Sequence, residues 1–220
     1  MTRTFLLRDA DALADLRTFL SRAGRLGAAE IRLAAENGVL AVTVPVLTPQ
    51  GILDQGPLVV GMRTFAEESA AHFDITIDPR SLTERLARPL MAEDTGAIMI
   101  PLPDATVAAA WSGMAPPRAA WEEVGVYDAA ELRASAESGI RAVQAALPED
   151  PGEAIVRTVR RGIWSEALDE LGTVPRGAAF AAETLGFLGD DPVRLLRTGS
   201  WSRLTSTRGH VLIRGRAAAG

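Results

Sequence analysis

The chain contains no cysteine and no lysine, and each absence excludes several kinds of chemistry. Without cysteine there is no disulfide framework, thiol nucleophile or thiolate-bound zinc, and a cytoplasmic location is expected. All 23 basic residues are arginine, so no lysine can serve a P-loop, a Schiff base or general-base catalysis. A GC-rich genome replaces lysine codons in this way, so the arginine content alone does not indicate phosphate recognition.

Histidine is also scarce, and its two occurrences do not form a metal-binding pattern. His72 and His210 are too few for a three-histidine zinc site. Asp74 and Asp78, four residues apart on one predicted strand, would lie roughly 13 Å apart, too far to share a metal with His72. We therefore predict no catalytic residue, no bound metal and no cofactor, and we do not expect an enzyme of a common nucleophilic or metal-dependent class.

Long apolar segments are missing as well. No run approaches the roughly 18 apolar residues of a membrane-spanning helix, and the N-terminus lacks a signal-peptide core. With 220 residues, 47% of them hydrophobic, the chain can bury a substantial core. These features predict a soluble globular protein with no membrane association.

Residues 1–103 are predicted to form an α+β sheet domain. Asn37-Gly38 separates two β-rich runs and predicts a tight hairpin, because both residues tolerate positive φ. The predicted order is β-α-β-β-β-β-α-β, and its short connections favour a mainly antiparallel sheet with two helices. This order resembles one unit of the sliding-clamp fold, which implies an architecture rather than a function.

A Pro- and Ala-rich linker is predicted at 104–117, followed by a helical domain at 118–220. Helices are expected at about 128–147, 151–171 and 175–188, with a short fourth helix from about Pro192 to Gly199. A terminal β-hairpin follows around residues 207–209. Helical periodicity predicts buried apolar stripes, which comprise Leu132, Ala136, Ile140, Val143 and Leu147 on the first helix and Ile155, Val159, Ile163, Ala167 and Leu171 on the second.

The C-terminus is basic although the chain carries a net charge of −5. Residues 192–220 contain six arginines and no acid. Helices followed by a basic hairpin have the order of a winged-helix module, in which Arg203, Arg208 and Arg214 would contact phosphates and His210 would add a donor. A simpler interpretation is an edge hairpin whose arginines interact with water. A further one, which the opposite charges favour, is that these arginines pair with carboxylates of the acidic part of the same chain. The predicted recognition helix, 175–188, also has few groups able to read bases.

Two further segments have open interpretations. The small residues of 177–186 allow close helix packing, either within the chain or in a dimer. The acidic pair Glu67-Glu68 is expected to lie at the solvated surface.

Three functions are consistent with these patterns. A non-enzymatic interaction or assembly protein ranks first, with a protein partner or self-association. A nucleic-acid-associated regulator using the basic C-terminus ranks second. An enzyme limited to carboxylates, arginines, hydroxyls and two histidines ranks third.

Overall fold

The structure, a computed structural model, describes residues 3–49, 51, 54, 56–91, 96–168 and 173–215. It confirms the predicted α+β class, with antiparallel sheets and five α-helices among these residues. The chain divides into unit 1 (Met1–Val44 with Met62–Met114) and unit 2 (Pro45–Gly61 with Ala115–Gly220). The domain limits inferred from sequence, at 103 and 118, remain predictions. Leu171, Gly172 and Arg216, which the sequence singled out, lie outside the described residues.

Unit 1 contains two helices and two groups of strands. The helices are α1 (Ala10–Arg25) and α2 (Pro79–Leu86). The strands are β1 (Thr4–Leu7), β2 (Ile31–Glu36), β3 (Val39–Leu47), β4 (Leu58–Ala66), β5 (Phe73–Ile77), β6 (Leu90–Met91) and β7 (Ile98–Pro101). Their orders are β1-β7-β6 and β5-β2-β3-β4. Residues 45–47 of β3 and 58–61 of β4 belong to unit 2.

Local sequence signals account for the start of α1 and for the first hairpin. Asp9 caps α1 by accepting a hydrogen bond from the Ala12 amide at 2.8 Å. Asn37 and Gly38 have φ angles of 52° and 75°, which confirms the predicted turn between β2 and β3. A left-handed backbone at both central positions matches the right-handed twist of the flanking strands.

Glu67 corrects one prediction for unit 1. Its side chain was expected at the solvated surface, but the residue is only 4% exposed. Its carboxylate accepts hydrogen bonds from the amides of Leu6 at 2.9 Å, Ser69 at 3.1 Å and Ala71 at 2.8 Å, and from the Ser69 hydroxyl. Burial alone would raise the pKa of Glu67, but these hydrogen bonds outweigh it and lower that pKa below its ordinary value.

Unit 2 places a layer of helices against a sheet. The helices are α3 (Ala129–Ala146), α4 (Glu153–Ser165) and α5 (Arg176–Thr184). The strands are β8 (Glu122–Tyr127), β9 (Val193–Thr198), β10 (Trp201–Ser206) and β11 (Gly209–Arg214). The order β4-β11-β10-β9-β8 leaves β8 at the end of the sheet. The predicted terminal hairpin corresponds to β10 and β11.

The predicted short helix after Pro192 is wrong, because that segment is strand β9. Val193 and Leu195 are buried while Arg194 between them is exposed, which is the alternation of a strand. Leu196, on the side of Arg194, is buried as well. Antiparallel neighbours on both sides, β8 and β10, bond this strand. The result is a sheet where the sequence predicted a lone hairpin, and the winged-helix comparison is not confirmed.

The small residues of α5 serve a contact within the chain. Five of them are buried: Gly177, Ala178, Ala179, Ala181 and Ala182. A Cβ atom at Gly177 would lie 2.9 Å from the Trp164 carbonyl oxygen, and one at Gly139 would lie 2.2 Å from the Trp164 ring. The Trp164 ring also stacks on Phe180 with 4.2 Å between centroids. Close packing of α3, α4 and α5 around Trp164 therefore requires small residues.

The apolar stripes predicted for α3 and α4 are only partly buried. Leu132 and Ala136 are buried as predicted, but Ile140 is 37% exposed. Trp164 is the only residue of α4 that is fully buried among the described residues, and Ile155 is 48% exposed. The amphipathic pattern of α4 therefore has no complete apolar cover within the described chain.

No described helix combines the length and the apolar character that crossing a membrane requires.

Candidate functional site on the C-terminal sheet

One face of the unit 2 sheet collects basic side chains from three neighbouring strands. Arg194 of β9 is opposite Thr205 of β10, and Thr205 is opposite His210 of β11. Directly opposed residues of an antiparallel pair share a face, and so do residues two apart on one strand. Arg203, two residues before Thr205, therefore belongs to the same face. We call Arg194, Arg203, His210 and Arg214 the arginine face.

The opposite face of this sheet packs against the helical layer. It carries Gly209, where a Cβ atom would lie 2.4 Å from the ring of Phe187. Phe187 follows α5, and its amide donates to the Ala182 carbonyl at 2.8 Å. The arginine face is consequently the face turned away from α5.

Arg203 stacks on an aromatic ring and forms no ion pair with the residues that the structure describes. Its guanidinium carbon lies 4.5 Å from the centroid of the Trp121 ring, a cation–π contact. The Trp121 Nε1 donates to the Pro117 carbonyl at 2.9 Å, which fixes the ring. Burial, and then the nearby charge of Arg194, lower the pKa of Arg203. The positive charge of Arg203 is thus poorly compensated.

The other arginines of this region differ in their surroundings. Arg194 Nη1 lies 3.6 Å from Glu123 Oε2, an ion pair in which both side chains are about half exposed. Arg214 is exposed at the end of β11. Arg208 lies in the turn between β10 and β11 rather than on a strand, and its guanidinium is close to Gly189. The structure therefore brings three of the four predicted contacts onto one face and places Arg208 apart.

His210 occupies an electrostatic environment that keeps it neutral. Its Nδ1 lies 3.2 Å from the Thr205 hydroxyl oxygen. Burial, followed by the charges of Arg203 and Arg194, lowers the pKa of His210 to about 4. A neutral imidazole adds no positive charge at physiological pH, so His210 supplies at most a hydrogen bond to a ligand.

Sequence reasoning missed two members of this site, Arg194 and Trp121. Arg194 was assigned to a helix because Pro192 suggested a helix start, although the pattern Val193-Arg194-Leu195 alternates as in a strand. Trp121 has no local signal, since its contact with Arg203 joins positions 82 residues apart.

His72, Asp74 and Asp78 are not brought together as metal ligands. Asp74 Oδ1 accepts from Arg32 Nε at 2.7 Å, and Asp78 caps α2 by accepting from the Arg80 amide at 2.8 Å. No group of three or more histidine or acidic side chains in the described part of the chain could hold a metal ion.

Comparison with known families covers both units. A family model described as a domain of unknown function, DUF8010, matches residues 1–113. The chain belongs to the DUF8010 family. A second model, also described as a domain of unknown function, DUF8185, matches residues 116–218. No curated protein sequence matches this DUF8010 chain.

Solved structures show a fold likeness to sliding clamps. The chain is similar to Caulobacter crescentus pol III beta, with 13% identity, a TM-score of 0.50, and coverage of 99% of this chain and 66% of that chain. It also matches a DnaN sliding clamp from Bartonella birtlesii bound to griselimycin, with 13% identity, a TM-score of 0.49, and coverage of 100% and 66%. The DUF8010 chain thus spans just under two thirds of these two clamp chains, and the likeness concerns the fold alone.

Proposed function

We propose that this protein is a non-enzymatic interaction or assembly protein that associates with a second copy of itself through α4. The observation that supports the proposal is the apolar stripe of that helix, which the described residues cover only in part. Ile155, Val159 and Ile163 follow helical spacing on one side, yet Ile155 is 48% exposed and the other two are only partly buried. Exposed apolar surface of this kind is typical of protein-protein contacts.

The charges of α4 favour a second copy as the partner. Glu153 lies in the first turn, where it pairs with Arg157 at 3.3 Å; Arg160 and Arg161 lie further along the helix, and Arg161 pairs with Asp54. Two copies packed antiparallel would bring the acidic start of each helix to the basic half of the other. The same geometry places Ile155 near Val159 of the second copy. A two-fold contact of this type is self-complementary and closes as a dimer.

The side chains around His210 agree with a non-enzymatic role. His210 has a hydroxyl neighbour, Thr205, and two cationic neighbours, Arg203 and Arg194. A catalytic histidine is commonly oriented by a carboxylate, which these neighbours do not supply. A cytoplasmic location is part of the same proposal, based on the absence of cysteine.

Sedimentation velocity over a range of concentrations tests the self-association. The wild type should shift from monomer to dimer, and Ile155→Glu should remain monomeric because it places a charge in the apolar contact. Val107→Glu is the matched control, since Val107 is 40% exposed but lies in unit 1. A wild type that remains monomeric at its highest soluble concentration contradicts the proposal, as does an equal effect of both substitutions.

A nucleic-acid-associated regulator is the second candidate. It is favoured by the position of Arg194, Arg203 and Arg214 on one sheet face and by the clamp-like fold. The neutral His210 and the Arg194–Glu123 ion pair act against it. Duplex binding in a low-salt mobility-shift assay would support it, with a slope of log affinity against log salt of about −0.9 for each phosphate contact. Absence of binding at low salt would exclude it.

A further inference from the structure

The positive charge of Arg203 is not neutralised by any acidic side chain that the structure describes. Arg203 forms no ion pair among the described residues, although Arg194 on the neighbouring strand pairs with Glu123. Its Nε atom is buried and has no hydrogen-bond partner within the described chain. A buried N–H group without an acceptor is unfavourable, and a negative charge bound beside the guanidinium would offset part of that cost.

The side chain is also held in position before any ligand arrives. The Trp121 ring supports the guanidinium plane at 4.5 Å, and the ring is itself fixed by the Pro117 carbonyl. A planar guanidinium presents parallel N–H groups that match the two oxygens of a carboxylate. Such preorganisation reduces the entropy lost on binding.

The surroundings favour a single negative charge over a polyanion. Glu123, exposed on β8 and opposite Leu196, lies on the arginine face and would repel a chain of phosphates. Glu123 also forms an ion pair with Arg194, and His210 is neutral, so neither side chain adds a free positive charge. The site therefore offers one guanidinium that has no ion pair among the described residues, with the Thr205 hydroxyl on the same face. This combination suits a ligand with one carboxylate.

We propose that the arginine face binds a side-chain carboxylate of an acidic peptide segment in a protein partner, with Arg203 as the charged contact. Leu196 and Leu212 lie opposite Arg203 on the two neighbouring strands and are nearly buried. Both leucines are covered within the chain, so the contact with the peptide rests on the Arg203 guanidinium. This site is separate from α4 and does not depend on self-association.

The Arg203 Nε–Hε resonance in NMR spectra of the full chain provides the test. The probe is acetyl-Ala-Ala-Glu-Ala-Ala-amide, with its Gln twin as the neutral control and acetyl-penta-alanine with a free carboxyl end as the terminal carboxylate. A short DNA duplex is the fourth probe. We expect a saturable shift with the Glu peptide and none with the Gln peptide. The Ile155→Glu protein should respond as the wild type does, so failure of the self-association proposal would be distinguishable.

Substitutions separate charge from geometry. Arg203→Lys keeps the charge but loses the planar fork, and should weaken Glu-peptide binding by about tenfold. With this variant, binding is followed through the Thr205 and Leu212 amide resonances. Arg141→Lys, at an exposed arginine of α3, is the matched control and should bind as the wild type does. Thermal unfolding of each variant checks that it is folded.

Four outcomes would overturn the proposal. They are equal shifts with the Glu and Gln peptides, unchanged affinity in Arg203→Lys, a response to the terminal carboxylate alone, and a response to the duplex without one to the Glu peptide. The last outcome would indicate that the arginine face binds nucleic acid instead of an acidic peptide.

Discussion

The carboxylate of Glu67 accepts the backbone N–H of Leu6 at 2.9 Å and so fastens strand β1 to the turn at 67–71. In Glu67→Gln, an amide nitrogen would replace one oxygen and face a backbone donor such as Ala71. We expect a loss of about 2–3 kcal/mol in the free energy of unfolding, because a buried donor is left unpaired. Glu68→Gln is the control, since Glu68 pairs with the exposed Arg8 and should lose less than about 1 kcal/mol. Urea denaturation measures both, and equal losses would refute the role of Glu67.

The same carboxylate predicts that unit 1 loses stability at acidic pH. The pKa of Glu67 is lowered in the folded state, so folding favours its ionised form. The stability that it contributes is therefore present above the ordinary glutamate pKa and is lost as the pH falls through the lower folded pKa. The wild type should lose stability relative to Glu67→Gln over that acidic range in pH-dependent urea denaturation. Parallel pH curves for the two proteins would contradict this.

His210 predicts a pH dependence in a different range. Its folded pKa of about 4 lies below the ordinary 6.5, so the unfolded chain takes up the proton first as the pH falls. The free energy of unfolding should decrease from about pH 6.5 and level off below about pH 4, by on the order of 3 kcal/mol. His210→Gln should flatten the curve between pH 6.5 and 5, where carboxylates contribute little. An unchanged slope in that variant would show that His210 is not the source.

The hairpin turn between β2 and β3 depends on backbone conformation. Asn37 has a φ of 52°, which a β-branched residue adopts only with strain. Asn37→Val should lower the free energy of unfolding by about 1 kcal/mol or more, whereas Asn37→Asp should be tolerated. Chemical denaturation distinguishes the two variants, and equal stability of Asn37→Val and wild type would be incompatible with the turn.

Two helical glycines of unit 2 offer a matched pair. In Gly139→Ala the new methyl group would lie 2.2 Å from the Trp164 ring, so we expect a loss of about 1–3 kcal/mol from overpacking. At Gly162 on α4, no atom of the described residues outside the helix's own backbone would lie within 4 Å of such a group. Gly162→Ala should therefore stabilise by up to about 1 kcal/mol through higher helix propensity. Thermal unfolding of the two variants should give shifts of opposite sign.

Local signals in the sequence were sufficient for much of the fold. The Asn37-Gly38 turn and the helix start at Asp128 each depend on residues within a few positions, and the structure contains both. Strand β9 was missed because Pro192 after two aspartates resembles a helix start. Pairing with β8 and β10 determines that this segment is a strand, and such pairing cannot be recognised from the neighbouring sequence.

The candidate site was harder to predict for the same reason. Arg203, His210 and Arg214 could be selected from their charge and their place in the hairpin. Their chemistry depends on distant neighbours, since Trp121 holds Arg203 and two arginines keep His210 neutral. Likewise, the sequence predicts an exposed Glu67 side chain. Its burial could not be foreseen because its backbone partner Leu6 lies 61 positions away.

The packing of Trp164 on Phe180 gives unit 2 an optical signature. Two aromatic rings stacked at 4.2 Å in a rigid setting absorb circularly polarised light unequally in the near ultraviolet. Such a signal disappears when side-chain packing loosens, even while helices persist in the far ultraviolet. Trp164 comes within 3 Å of the Cβ positions of Gly139 and Gly177 on the two other helices, so its near-ultraviolet band would report the tightness of that layer directly. A spectrometer could thus follow the helical layer of unit 2 without any attached label.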